Sequence, residues 1–185
     1  MDTTYTYTIV VAVVLVLLIV GVILMPVLTR RKRSKQLQDQ FGPEYDLTVR
    51  ALGDERIAEM ELDERRKHVE ALDIHPLTVN QRERYLADWA DVQSKFVDEP
   101  GNAIVNSDRL IMEVMQLRGY PVANFEQRAA ELSVNYPALV SNYRAARVIA
   151  LKNSQNQANT EELRQAMICY RSLFEELLEA NTVAV

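Results

Sequence analysis

The sequence predicts an all-α protein: a single N-terminal transmembrane helix followed by a helical-bundle soluble domain. Three observations carry this reading. Residues 9–28 form an uncharged apolar run. Downstream, apolar residues recur at steps of three and four, with none of the period-2 alternation of a strand. Pro, Gly and capping residues divide that region into helix-sized pieces.

The apolar run, IVVAVVLVLLIVGVILMPVL, has 16 Leu, Ile or Val among its 20 residues. At about 1.5 Å per residue it reaches about 30 Å, the thickness of a hydrocarbon core. In lipid the backbone must satisfy its own hydrogen bonds, so the β-branched residues form a helix there. A cleaved signal peptide would need a basic start, a shorter apolar core and a small-residue cleavage site. The segment MDTTYTYT has no Lys or Arg, and a basic cluster stands where cleavage would occur.

That cluster is a membrane-anchor collar: Arg30, Arg31, Lys32, Arg33 and Lys35 follow the span, and no basic residue precedes it. The positive-inside rule therefore places the soluble domain in the cytoplasm and the N-terminus outside, with Tyr5 and Tyr7 at the outer interface. The expected partners begin with the lipid bilayer.

The 185 residues divide as follows: an external N-terminus (1–8), the span (9–28), a basic juxtamembrane segment (29–40), a polar helical neck (41–77), a helical-bundle core (78–153), a polar linker (154–159) and a C-terminal amphipathic helix (160–185). From Gln36 onward, 16 basic residues face 25 acidic ones, a net of −9. So acidic a lobe is unsuited to nucleic acid, whose affinity rests on Lys and Arg neutralising phosphates. The lone Cys169 excludes an intrachain disulfide framework and a thiolate zinc site.

Phe41-Gly42-Pro43 interrupts the juxtamembrane segment, and a short piece, Glu44–Leu52, runs to Gly53. The stretch Asp54–Leu72 is rich in helix formers and charge, with Glu61–Arg65 and Asp63–Lys67 at i,i+4, each pair worth roughly 0.2–0.5 kcal/mol. Being polar nearly all round, it reads as a solvated spacer. Thr78 and Gln81 have capping-box spacing and open a helix to Asp98, whose stripe Tyr85, Trp89, Val92 and Phe96 marks it as the lobe's central helix. After Pro100-Gly101 comes a helix carrying Ile104, Val105, Leu110, Ile111, Val114, Met115 and Leu117, stopped at Gly119 by a left-handed C-cap and Pro121. Asn124 caps a short helix to about Val134, and Pro137 starts another to about Lys152. Thr160 caps the last helix, Glu161–Ala180. Its residues Leu163, Met167, Tyr170, Phe174 and Leu177 are spaced like a coiled-coil seam. Ala166, Leu173 and Leu178 widen the stripe to about 140°, which fits a helix docked on its own globular core.

Chemistry-bearing patterns are few. The five glycines are scattered singly, which excludes a phosphate-binding loop or dinucleotide fingerprint. Glu61, Glu64 and His68 share a helix face but sit among basic residues, so no metal and no cofactor is expected. Asp88 and Asp91 flank Trp89 and are expected to face water. The candidate ligand site is a set of arginines on adjoining helices, Arg118, Arg128, Arg144 and Arg147, with Tyr136 and Tyr143. Either they converge on an anionic ligand, or they pair with the surplus of acids.

The motifs FGPEYD (41–46), FVDEP (96–100), RGYPV (118–122), LSVNYP (132–137) and YRAA (143–146) stand in this order. In them the chain resembles a family of uncharacterised bacterial single-pass membrane proteins, over roughly residues 41–149. The resemblance implies one N-terminal span, a helical domain and a bacterial inner (cytoplasmic) membrane, and it implies no activity. Three functional readings follow: a non-enzymatic, membrane-tethered module that binds protein partners or itself, a receptor for a small anionic ligand held by the arginines, and an enzyme of unrecognised type.

Overall fold

The computed structural model describes residues 31–179 and, within the N-terminal run, Leu15. The external N-terminus, the expected span and Arg30 of the collar otherwise lie outside the described residues, as does the chain beyond Glu179. Among the described residues no helix is long and apolar enough to cross a membrane. The chain divides into two units, Met1–Gln40 and Phe41–Val185. In the first, residues 31–40 are helical, with Arg31, Lys32, Arg33 and Lys35 exposed.

The second unit is all-α: α1 (Pro43–Leu52), α2 (Glu55–Glu70), α3 (Val79–Lys95), α4 (Pro100–Leu117), α5 (Phe125–Asn135), α6 (Pro137–Ser154) and α7 (Thr160–Glu179). The expected punctuation sets these bounds. Gly53 takes a left-handed φ of 70° after α1, and Asp54 caps α2 through the amides of Arg56 and Ile57. Thr78 and Gln81 form a complete capping box, and Asn124 accepts from the Gln127 amide. Gly119 has φ 93°, and a Cβ there would collide with the Asp73 carbonyl oxygen, so both conformation and space demand glycine. The cap of α7 differs from the expectation. Asn159, not Thr160, does the work: its Oδ1 accepts from the Glu162 amide and Glu162 Oε2 accepts from the Asn159 amide, each at 2.9 Å. The reciprocal Asn-x-x-Glu spacing wins because it satisfies two amides instead of one.

α7 is the inner strut of the lobe. It packs on α4 and α6 and buries Leu163, Ala166, Met167, Cys169, Tyr170, Leu173, Phe174, Leu177 and Leu178. Its wide stripe is thus docked on the chain's own bundle. The expectation that 78–98 is the central helix is corrected accordingly. α3 buries only Tyr85, Trp89 and Val92, on one face, and a helix apolar on one face lies at the edge of a core. Trp89 reaches inward to stack on Phe174, ring centroids 4.4 Å apart, and Tyr143 meets Tyr170 edge-on at 6.1 Å.

The segment expected as a neck is part of the same compact unit. α1 and α2 form a hairpin, with α2 against α5 and α1 against α6. The charged sequence hides a narrow apolar line, Ala58, Leu62 and Val69, spaced 4 and 7, and all three are buried. The tyrosine hydroxyl of Tyr45 ties the hairpin together, donating to Glu55 at 3.0 Å or Glu59 at 3.2 Å.

Candidate functional site

The four candidate arginines separate into three places. Arg118 follows the last residue of α4, where the helix ends and its side chain turns inward; it is 5% exposed. Its Nη1 donates to the Tyr136 hydroxyl at 2.8 Å and to the Leu177 carbonyl at 2.9 Å. Leu177 belongs to α7, so this bond ties the end of α4 to that helix. Arg118 is therefore a clamp between α4, α6 and α7.

Arg128 and Arg147 do come together, on Asp108. Arg128 Nη2 and Arg147 Nη1 lie 4.0 and 3.8 Å from Asp108 Oδ2. The Tyr143 hydroxyl donates to Asp108 Oδ1 at 3.3 Å and accepts from Arg128 Nε at 3.2 Å. Both guanidiniums stand over the Phe125 ring, 5.8 and 5.4 Å from its centroid, within cation–π range. Burial, and then the Asp108 charge, push the Tyr143 hydroxyl up to about 12, so it remains a neutral donor. Two cations, one carboxylate and one phenol thus close on one another, with Arg147 at the solvent edge, its side chain 35% exposed.

Arg144 belongs to a third place. Its Nε donates to Glu44 Oε1 at 3.1 Å and its Nη1 to Glu126 Oε2 at 2.7 Å. Arg65 from α2 approaches the other Glu44 oxygen at 3.9 Å and Glu61 at 3.4 Å. These residues line an open groove of about 590 Å³, whose wall includes Leu47, Thr48, Ala51 and Leu52 of α1.

Every candidate arginine therefore has acceptors from the protein itself: Arg128, Arg144 and Arg147 meet acids, whereas Arg118 meets only a hydroxyl and a backbone carbonyl. Two participants were not singled out in the sequence, Glu44 and Asp108, and Arg65 was read only as the i,i+4 partner of Glu61. Asp108 had a local signal, since it lies on the apolar stripe of α4 formed by Ile104, Ile111 and Met115. Glu44 had none, because its partner is 100 residues away. Of the expected helix-face trio, Glu61 meets Arg65, whereas His68 Nε2 lies 3.5 Å from the buried Glu131 on α5. Among the described residues no group of three His, Cys, Asp or Glu is placed to hold a metal ion. Asp91 is exposed and accepts from Lys95 at 2.6 Å, whereas Asp88 is half-buried and lies 3.9 Å from Arg84.

Fold and site together define an all-α helical domain in which Arg128, Arg144 and Arg147 are paired with acids of the same chain. Compared with protein-family models, with curated proteins and with solved structures, the chain has no match. The motif resemblance stands on its own residues.

Proposed function

We propose that the chain is a membrane-tethered cytoplasmic helical module of the bacterial inner membrane that acts by binding protein partners rather than by catalysis. The observation that carries this is the pairing just described. Polar groups that would serve a small ligand or a reaction are already engaged in holding helices together, so recognition falls to the surface. The uncharged run at 9–28 and its basic collar supply the tether and its orientation. The pairing of all four arginines with protein acceptors weighs against the anionic-ligand reading, because a ligand anion would first have to displace those acceptors.

The test is recovery of partners from detergent-solubilised membranes, with crosslinking in intact cells, alongside thiol labelling. A cysteine replacing Thr3 is expected to react with a membrane-impermeant reagent, and one on the lobe is expected to be protected. Labelling of the lobe in intact cells would reverse the orientation, and the absence of any crosslinked protein would sink the partner reading.

A further inference from the structure

Five charged side chains run in unbroken alternation across the groove between α1, α2, α5 and α6: Glu61, Arg65, Glu44, Arg144 and Glu126. Consecutive members lie 3.4, 3.9, 3.1 and 2.7 Å apart. The middle carboxylate is buried and shared by both guanidiniums. The two ends are open, the Glu61 and Glu126 side chains being 50% and 76% exposed. An ionised carboxylate accepts about four hydrogen bonds, so each end keeps spare acceptor capacity, and the row as a whole carries one excess negative charge. Beside it, Leu47 and Leu52 line the same concavity while 41% and 44% exposed. A single exposed leucine means little. Two leucines in one groove, rimmed by charge, form the mixed apolar and polar lining of a recognition site.

We propose that this groove docks an amphipathic protein segment that presents apolar side chains to Leu47, Ala51 and Leu52 and places a basic side chain on each of Glu61 and Glu126. The proposal rests on the partner-binding reading above and adds the partner's chemistry. Charge complementarity selects the sign. A cation adds to an open end of the row without breaking any existing pair. A ligand carboxylate would have to expel Glu61 or Glu126 from its arginine and then lie beside it, and like charges so placed repel.

The experiment uses the full chain in nanodiscs of neutral lipid, with empty nanodiscs as the blank. The probes are fluorescein-labelled eight-residue peptides, each with two lysines separated by three to six residues that include leucines, and matched peptides with glutamates instead. At least one lysine peptide is expected to bind saturably, and the glutamate peptides are not. The double variant Glu61→Gln, Glu126→Gln is expected to weaken binding about three- to tenfold, and Leu52→Ser about tenfold. Glu175→Gln, an exposed acid on α7, is expected to leave it unchanged, which separates this groove from general attraction to an acidic lobe. Preference for glutamate peptides, absence of saturable binding, or a double variant that binds like the wild type would each overturn the proposal. Repeating the membrane pull-down with the groove variants keeps the two readings apart. Partners recovered equally by wild type and variants reject the groove and leave partner binding intact, whereas no partner on the wild type rejects the broader reading.

Discussion

The α3–α7 body and the α1–α2 hairpin are built from the same helical material, yet they are held in different ways. In the body, Trp89, Phe174, Tyr143, Tyr170 and a set of aliphatic residues on α4 and α7 form one continuous core. The hairpin's buried residues Tyr45, Ala58, Leu62 and Val69 stand outside that core. Its contacts with the body include Glu44–Arg144, Arg65 to the Ser133 hydroxyl, and His68–Glu131. Apolar burial accumulates with area and tolerates small shifts. Paired charges fix position closely but return little net free energy once desolvation is counted. The comparison teaches that the body should set global stability, while the hairpin is well positioned and weakly held, at the low end of local stability.

The largest expected effect lies in the body. Phe174→Ala removes the ring on which Trp89 stacks and leaves a cavity beside α3, at a cost of about 3–5 kcal/mol. Denaturant unfolding followed by Trp89 emission measures it. A loss below about 1 kcal/mol would break the assignment of α7 as inner strut.

Next comes the hairpin's central charge. Glu44→Gln leaves Arg65 and Arg144 without their shared carboxylate. Because both arginines are partly exposed, the cost should fall below that of a fully buried pair, at about 2 kcal/mol. Native-state hydrogen exchange is the sharper readout. Amides of α1 and α2 should exchange faster in the variant while those of α4 and α7 keep their protection. Equal loss of protection throughout would mean that hairpin and body open as one.

The smallest effect is a pH slope. Burial raises the Glu131 carboxyl above its ordinary 4.5, while the Gln127 hydrogen bond and the His68 charge pull it back. The folded chain therefore holds this proton more tightly than the unfolded chain does. Stability is lost as pH rises through 4.5, and the penalty is complete above the folded-state pKa. Glu131→Gln removes that penalty, so its stability relative to the wild type should improve as pH rises from 4 to 7. A difference that stays constant across this range would contradict it.

What the sequence disclosed follows from range. Thr78 with Gln81, Asn124 with Gln127, and glycines 53 and 119 act within a few residues, so helix bounds were legible. The buried face of α7 was legible too, since nine buried positions on one helix leave a periodic trace. The charge clusters were not. Arg144 and Arg147 stand three residues apart, yet one meets Glu44 and the other Asp108, and only the stacking of α1 and α4 against α6 decides which. The apolar line of α2 was missed because Leu62 is flanked by charge, and three small contacts at spacings 4 and 7 fall below what periodicity reveals.

The position of α7 in the chain also has a consequence for biosynthesis. The helix that α4 and α6 pack around is translated after both of them. From Leu117 at the end of α4 to Glu179 at the end of α7, 62 residues must still be added, which at ordinary translation rates takes roughly 3–12 s. Throughout that interval Ile104, Ile111, Val114 and Met115 wait without the surface that finally covers them. The nascent lobe therefore passes through a stage in which several helices exist and their common interior does not, and a chaperone that shields apolar helix faces would find its substrate there.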